Sequence, residues 1–448
     1  MAHNLSDLTQ QLLEAAKKAG ADAADALAVD GTSISIDVRN GKLEQAERSD
    51  GVEIGLRVLL GQRSATISAS DVRPETMAMM AERAVAMAQE APDDPYIGLA
   101  EADQIIKEFD VDALELFDAS AEPAPADLEQ DAIRAEAAAL AVDGITQIDG
   151  CSAGYGSSNV HLAASNGFSG GYKRSSRSIS CIAIAGTGTE MERDYDGDSR
   201  IFQSDLRSPE EIGQTAAKRT LERMNPRRPK TGAYPVLYDE RISSSLIGHL
   251  LSAVNGGAIA RGSSWLLDAL GSQVLPDGID LLEDPHAPRK MASRPFDAEG
   301  LATRKRAIVK DGVLQGWTLD LATGRKLGME STANATRGTS SAPSPSPWNI
   351  TMTQGDKTRE DLMRDMGTGL LVTSMIGATI NPNTGDYSRG AAGYWVENGE
   401  LAYPVSGVTI AGSLPAMLKT LIPANDARPW LSRVVPSLLV EGMTLAGE

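Results

Sequence analysis

The stretch Asn225-Pro226-Arg227-Arg228-Pro229 divides the chain into two halves that read differently. Proline fixes its own φ and pushes the preceding residue out of the helical region, so this segment ends a helix and continues as an extended connector. Upstream, the hydrophobic period runs twice through the same order of helix, strands and helix. Downstream, short apolar runs alternate with Gly, Asn and Asp turns, which fits a β-rich domain with a few helices.

The first upstream unit opens with Leu5, Leu8, Leu12, Leu13 and Ala16 at helical spacing. Strand-like stretches follow around 22–29, 32–39, 42–49, 51–60 and 63–70, with turn signals at Asp30-Gly31, Asn40-Gly41 and Asp50-Gly51. Pro74 then starts a second helix with the apolar stripe Met77, Met80, Ala84 and Met87. After the connector Asp118–Ala126, the second unit has an Ala-rich helix over 127–142. Strands near 145–155, 158–165, 168–176 and 178–188 follow, with Ser165-Asn166-Gly167 as a hairpin signal. Ser208 as N-cap, Pro209 and Glu211 mark the closing helix. Downstream, helices are expected after Thr358 and over Ser413–Leu421, and Thr339–Pro347 reads as an extended or mobile Ser/Pro loop. The fold expectation is α+β: two similar helix–antiparallel strands–helix units (1–117 and 118–225), then a β-rich, barrel-like domain (226–448).

Composition narrows the function classes. With 448 residues and a formal charge of −19, the chain is poorly suited to broad nucleic-acid binding or an anionic membrane surface, both of which call for Lys and Arg. The densest basic stretch, Lys218, Arg219, Arg223, Arg227, Arg228 and Lys230, reads as a solvated helix end running into the linker. The start Met1-Ala2-His3-Asn4-Leu5-Ser6-Asp7 is polar, and no apolar span long enough for a membrane follows. Cys151 and Cys181 have neither metal-type nor framework spacing and read as small buried hydrophobes. A cytoplasmic, reduced protein is the expectation.

Several patterns invite a chemical reading. Gly167-Phe168-Ser169-Gly170-Gly171 fits the Gly-x-Ser-x-Gly expression, but a nucleophile elbow needs a helix after the serine, and Tyr172–Ser180 reads as strand. Ser243, Ser244 or Ser245 with His249 and Asp239 could be imagined as a triad, without a visible oxyanion hole. Glu283, Asp284 and His286 form a polar cluster set between Pro285 and Pro288, read as a surface loop. His161 is isolated in sequence. Tyr387 and Arg389 lie among turn residues where they could orient a peptide or a partner's carboxylate.

The C-terminal half carries Gly367-Thr368-Gly369-Leu370, Asn381-Pro382-Asn383-Thr384-Gly385-Asp386-Tyr387-Ser388-Arg389-Gly390 and Trp395-Val396-Glu397-Asn398-Gly399-Glu400. Tyr403-Pro404-Val405-Ser406 and Thr409-Ile410-Ala411-Gly412 continue it. Together these resemble the TldD/PmbA family, specifically its PmbA (TldE) branch. Where that family's zinc helix reads His-Glu-x-x-Gly-His, this chain has Ser244-Ser245-Leu246-Ile247-Gly248-His249. Only Gly248 and His249 survive, and Asp426–Glu448 lacks the family's C-terminal Cys ligand.

A catalytic zinc needs about three protein ligands and a carboxylate to take the water's proton. The resemblance therefore implies no catalytic residue and no metal or cofactor in this chain. It implies the noncatalytic subunit of a cytoplasmic heteromeric TldD/TldE zinc metalloprotease, with zinc in a TldD-type partner and small or unfolded polypeptides as substrates. His249, Tyr387 and Arg389 are the candidate peptide or partner contacts, and a homodimer of the isolated chain is compatible with the shared fold. The alternative is a regulatory binding protein of the DNA gyrase modulator type. Neither nucleic acid nor membrane is an expected partner.

Overall fold

A computed structural model describes residues 4–448 of the chain; Met1–His3, part of the polar start, lie outside the described residues. The fold is α+β. The N-terminal half is one six-stranded antiparallel sheet of order β3-β2-β1-β4-β5-β6. Its strands are β1 (Ala23–Arg39), β2 (Lys42–Leu60), β3 (Arg63–Ala69), β4 (Ile145–Ala164), β5 (Ser169–Ala185) and β6 (Glu192–Arg200). Helices α1 (Leu5–Ala19) and α2 (Pro74–Glu90) belong to the first unit, α3 (Pro125–Leu140) and α4 (Pro209–Glu222) to the second. The two units share the sheet through β1 and β4, paired from Asp25↔Ala164 to Val38↔Cys151.

The strands are longer than the turn signals implied. Asn40-Gly41 does turn, with both residues at positive φ. Gly31 and Gly51 instead face each other in mid-ladder, so β1 and β2 run through both expected turns. β4 and β5 likewise merge pairs of shorter expected strands. A glycine among β-formers weakens a strand locally without forcing a reversal, and the flanking pairs carry it.

Each helix pair covers one end of the sheet. Leu8, Leu12 and Ala16 of α1 and Met77, Met80 and Ala84 of α2 pack on Ala26, Ile54, Leu56 and Val58. Burying one such Leu contributes roughly 1.5–3 kcal/mol. Met87 departs from the expected stripe and is exposed. At the other end, Leu128, Ala132, Ile212 and Ala216 cover Ile36, Ala153, Ile179 and Cys181. Cys151 and Cys181 are both buried, free and directly opposed across β4 and β5. α4 begins as read, with the Ser208 side chain accepting from Glu211 N.

The C-terminal half is built on a closed five-stranded barrel. β7 (Gly232–Tyr238), β8 (Gly369–Ile380), β9 (Asp386–Glu397), β10 (Glu400–Ser413) and β11 (Leu438–Ala446) pair in a ring, because β10 also bonds β11. An odd ring cannot alternate direction throughout; here β7 and β8 form the parallel pair. Closure removes exposed strand edges. Gly393 allows one tight point of the ring: a Cβ there would fall 1.9 Å from Leu371 O. Helix α5 (Glu240–Ala253) follows β7 directly and packs Leu246, Ile247 and Leu250 into the barrel core. Thr358 caps the expected short helix Arg359–Met366, and Leu414–Thr420 is helical too.

The halves meet along β6. Asp194, Asp196 and Asp198 share one face of that strand by its two-residue period, and all are nearly buried. Arg223 and Arg241 pair with Asp194, Arg207 and Arg219 with Asp196, and Arg200 with Asp198. Arg219 and Arg223 therefore belong to a half-buried ion network and not to a solvated helix end. Arg227 stacks over the Tyr403 ring at 5.2 Å. Among the described residues, no helix is long and apolar enough to cross a membrane.

Candidate functional site

Helix α5 starts at Asp239, whose carboxylate accepts from Arg241 N and caps the first turn. The same carboxylate receives Arg241 Nε at 3.2 Å and Arg359 Nη1 at 2.9 Å. Glu240 pairs with Arg428 at 2.5 Å; burial pushes its carboxyl up, and the Arg428 charge opposes that shift. The first turn is thus held to both the barrel and β6, which fixes the direction of the residues that follow.

Those residues are Ser243 through His249. Ser243 is buried and donates to backbone carbonyls, Glu240 O and Val435 O, each at 3.4 Å. Ser245 donates to Ile242 O at 2.7 Å. Serines bonded back onto their own helix are satisfied, not poised. Gly248 leaves room for Arg433: a Cβ there would sit 3.1 Å from Arg433 Nη1.

His249 is half-buried, and its Nε2 is enclosed without a hydrogen-bond partner among the described residues. Its ring meets Tyr387 edge to face, centroids 5.8 Å apart. Burial, and secondly the nearby Arg389 charge, hold its pKa below the usual histidine value. Tyr387 itself is only 2% exposed and donates to Met375 Sδ at 3.4 Å. Arg389 donates to Gly377 O at 2.7 Å, and no carboxylate pairs with it among the described residues. The structure therefore brings His249, Tyr387 and Arg389 together from α5 and β9, with Arg389 offering the available charge.

A zinc ion does not suit this donor set. One imidazole, a tyrosine committed to a thioether and a guanidinium do not replace two histidines and a thiolate. Among the described residues, no group of three or more His, Cys, Asp or Glu side chains could hold a metal. No hydrogen bond connects His249 to Ser243, Ser244, Ser245 or Asp239 among the described residues, so the imagined triad is not assembled. Ser169 begins β5, a strand, and its Oγ lies 3.4 Å from His161 Nε2, while His161 Nδ1 lies 2.9 Å from Thr9 Oγ1. Glu283 is a buried strand residue bonded to Arg306 at 2.6 Å, which corrects the surface-loop reading, while His286 bonds Thr303 at 2.9 Å.

A cavity of about 740 Å³ opens at the seam of the two halves beside this cluster. Asp194, Tyr195 and Arg223 form one wall, while Met375, Ile376 and Gly390 belong to the barrel wall. Met375 links it to Tyr387 and His249. The β6 wall has no signal in the sequence beyond the Asp-x-Asp-x-Asp alternation of residues 194–198, which by itself reads as solvent-facing.

Three family models fit consecutive parts of the chain: PmbA/TldA metallopeptidase domain 1 over 24–88, the central domain over 118–224 and the C-terminal domain over 231–447. The chain belongs to the PmbA/TldD metallopeptidase family. Metalloprotease PmbA of Escherichia coli O157:H7 is 38% identical over 424 residues, covering 93% of this chain and 90% of that one. The PmbA homologue of Haemophilus influenzae is 38% identical over 444 residues, or 97% and 94% of the two chains. These relatives place the chain in the PmbA branch.

Among solved structures, a Bacteroides thetaiotaomicron protein described as a candidate modulator of DNA gyrase aligns with a TM-score of 0.91 at 28% identity, over 99% of this chain and 98% of that one. TldE from Thermococcus kodakarensis aligns at 0.86 over 98% and 100%; at 20% identity this likeness concerns the fold alone. A TldD homologue from Buchnera aphidicola is also similar, 22% identical over 240 residues, 52% of this chain and 47% of that one.

Proposed function

We propose that this PmbA-branch chain is the noncatalytic subunit of a cytoplasmic heteromeric zinc metalloprotease, in which a TldD-type partner holds the zinc and small or unfolded polypeptides are cut. The observation that carries this reading is the donor set on α5. Ser244 and Ser245 stand where a metal ligand and a general base would be needed, and His249 faces Tyr387 and Arg389. Zinc-dependent hydrolysis uses a polarising metal and a proton-accepting carboxylate, and Ser244 and Ser245 supply neither a metal-ligating imidazole nor a carboxylate. In this reading α5 and the barrel shape the chamber, and Arg389 meets a peptide or partner carboxylate. His249 and Tyr387 form the floor beside it. Isolated, the chain pairs with itself through the surface that the partner would take.

The test is co-purification with the cell's TldD-type relative, followed by a peptide cleavage assay. The reading expects cleavage of an unfolded peptide by the mixture and by neither buffer nor this chain alone. Chelator-sensitive cleavage by this chain alone would overturn it. A second reading, a regulatory binding protein, draws on the description of the Bacteroides structure as a candidate gyrase modulator. A stable complex with gyrase formed without any TldD-type protein, together with a mixture that cleaves nothing, would favour it.

A further inference from the structure

A second cavity lies on the opposite side of the N-terminal sheet from the helices and away from α5. It measures about 400 Å³ and is walled by Leu27, Val29, Val160 and Leu162 with the rings of Tyr172, Phe296 and Trp348. That volume lies within the small-molecule range. Its polar lining is unusual. Arg174, Arg294 and Arg337 all border it, against Asp297 and a rim carboxylate, Glu53.

Two of the three guanidinium groups, Arg174 and Arg294, have no carboxylate partner among the described residues. Arg174 Nη2 and Arg294 Nη1 both donate to one backbone oxygen, Met291 O, the latter at 3.2 Å. Two cations thus converge on a neutral acceptor, and no carboxylate pairs with either among the described residues. Arg337, with a side chain 1% exposed, pairs with Asp25. That carboxylate also serves Arg57 at 2.5 Å, so two buried guanidinium groups bond to it, while Glu299 and Asp320 lie near Arg57 but form no ion pair with Arg337 among the described residues. Asp297 accepts from Glu299 N, Leu301 N and Ala335 N at 2.9, 3.0 and 3.1 Å, and no ion pair joins it to any of the three arginines among the described residues. Arg174 Nη1 and Arg337 Nη2 are enclosed with no hydrogen-bond partner among the described residues. A buried charged donor left unpaired is strongly unfavourable, and a ligand oxygen would remove that deficit.

We propose that this cavity binds a small carboxylate with an apolar body. The carboxylate meets Arg174, Arg294 and Arg337, and the body lies among Leu27, Val160, Phe296 and Trp348. Arginine's planar fork matches a carboxylate, and the aromatic walls favour a ring or branched chain. The same chemistry is offered by a free aromatic or branched acid and by the C-terminal residue of a peptide. The binding requires no zinc and no partner, so it stands or falls apart from the proteolytic reading.

Calorimetric titration of the full chain tests it with four probes: 3-phenylpropionate, its amide, the peptide Ala-Ala-Ala-Phe as free acid, and the same peptide amidated. At least one acid is expected to bind, with its amide weaker by about tenfold or more, the scale of a lost charge-assisted hydrogen bond. Binding by the peptide acid alone assigns a peptide terminus; binding by 3-phenylpropionate assigns a free acid. Arg174→Gln and Arg294→Gln, each verified folded by an unchanged melting transition, should each weaken the acid about tenfold and leave the amide unaffected. Acid and amide binding alike, neither acid binding, or acid affinity unchanged in both folded variants would overturn the proposal.

Discussion

The imidazole of His249 meets the ring of Tyr387 edge to face, centroids 5.8 Å apart and planes at 73°. A residue from α5 and one from β9 thus pack as a pair. His249 has no hydrogen-bond partner at Nε2, so its contribution to stability is packing. His249→Ala should lower stability by about 1–2 kcal/mol, the aromatic pair supplying about 0.5–1.5 of it. Tyr387→Ala, which empties a buried site, should cost about 3–5 kcal/mol. Urea unfolding of the two variants measures both, and a larger loss for His249→Ala than for Tyr387→Ala would contradict the assignment.

The half-buried histidines predict a pH signature. Burial lowers the folded-state pKa of both His161 and His249. A base whose folded pKa is depressed contributes stability that is present above the unfolded value, about 6.5, and is lost as pH falls toward the folded one. Asp297 acts oppositely: burial raises its pKa to about 6, so its contribution is present below the ordinary carboxyl value, about 3.8, and fades as pH rises through about 6. The raw stability curve mixes these signs. The difference between the wild type and His161→Gln/His249→Gln isolates the histidines, and should shift against the wild type as pH drops from 7 to 5. A pH-independent difference would show that neither ring is held neutral.

Arg241 joins Asp194 of β6 to Asp239 at the start of α5, at 3.4 and 3.2 Å. Arg241→Met should cost about 2–3 kcal/mol, less than the ~3–5 of a fully orphaned buried charge, because Arg223 and Arg359 remain. A double-mutant cycle with Asp194→Asn should return a coupling of at least ~1 kcal/mol. Additive effects would mean that the halves are not locked there.

Gly55 lets the Ser/Pro loop approach the sheet: a Cβ at this position would lie 2.1 Å from Thr339 O. Gly55→Ala should destabilise by about 1–3 kcal/mol through forced displacement and speed proteolytic cutting within 339–347. Gly51→Ala, with nothing within 4 Å of the added carbon, is the matched control and should do neither.

Local chemistry made much of this fold legible. Ser208 with Glu211, and Thr358 with Asp361, announced their helices because a cap is completed within one turn. The barrel-like character of the second half was expected, but not which strands close it, since the β10–β11 pairing joins segments separated in sequence. The row Asp194, Asp196, Asp198 of β6 was not anticipated, because four of its five arginine partners, Arg207, Arg219, Arg223 and Arg241, come from outside the strand. The serines at 244 and 245, on which the proposed absence of zinc donors rests, were plain in the sequence. The neighbours of His249 were not, because Tyr387 and Arg389 reach it only once β9 has closed the ring.

The purified chain should contain no stoichiometric zinc. Elemental analysis is the check, and a content near one zinc per chain that disappears in His249→Ala would contradict the donor-set reading.

The central claim is tested most directly by the peptide cleavage rate of a complex of the TldD-type partner with His249→Ala. Assembly must first be verified by sizing, because failed assembly would imitate lost catalysis. The account predicts the wild-type rate for that complex, and loss of cleavage when a metal-binding histidine of the partner is replaced. A fully assembled His249→Ala complex that cleaves nothing would place His249 in the active site and contradict the account.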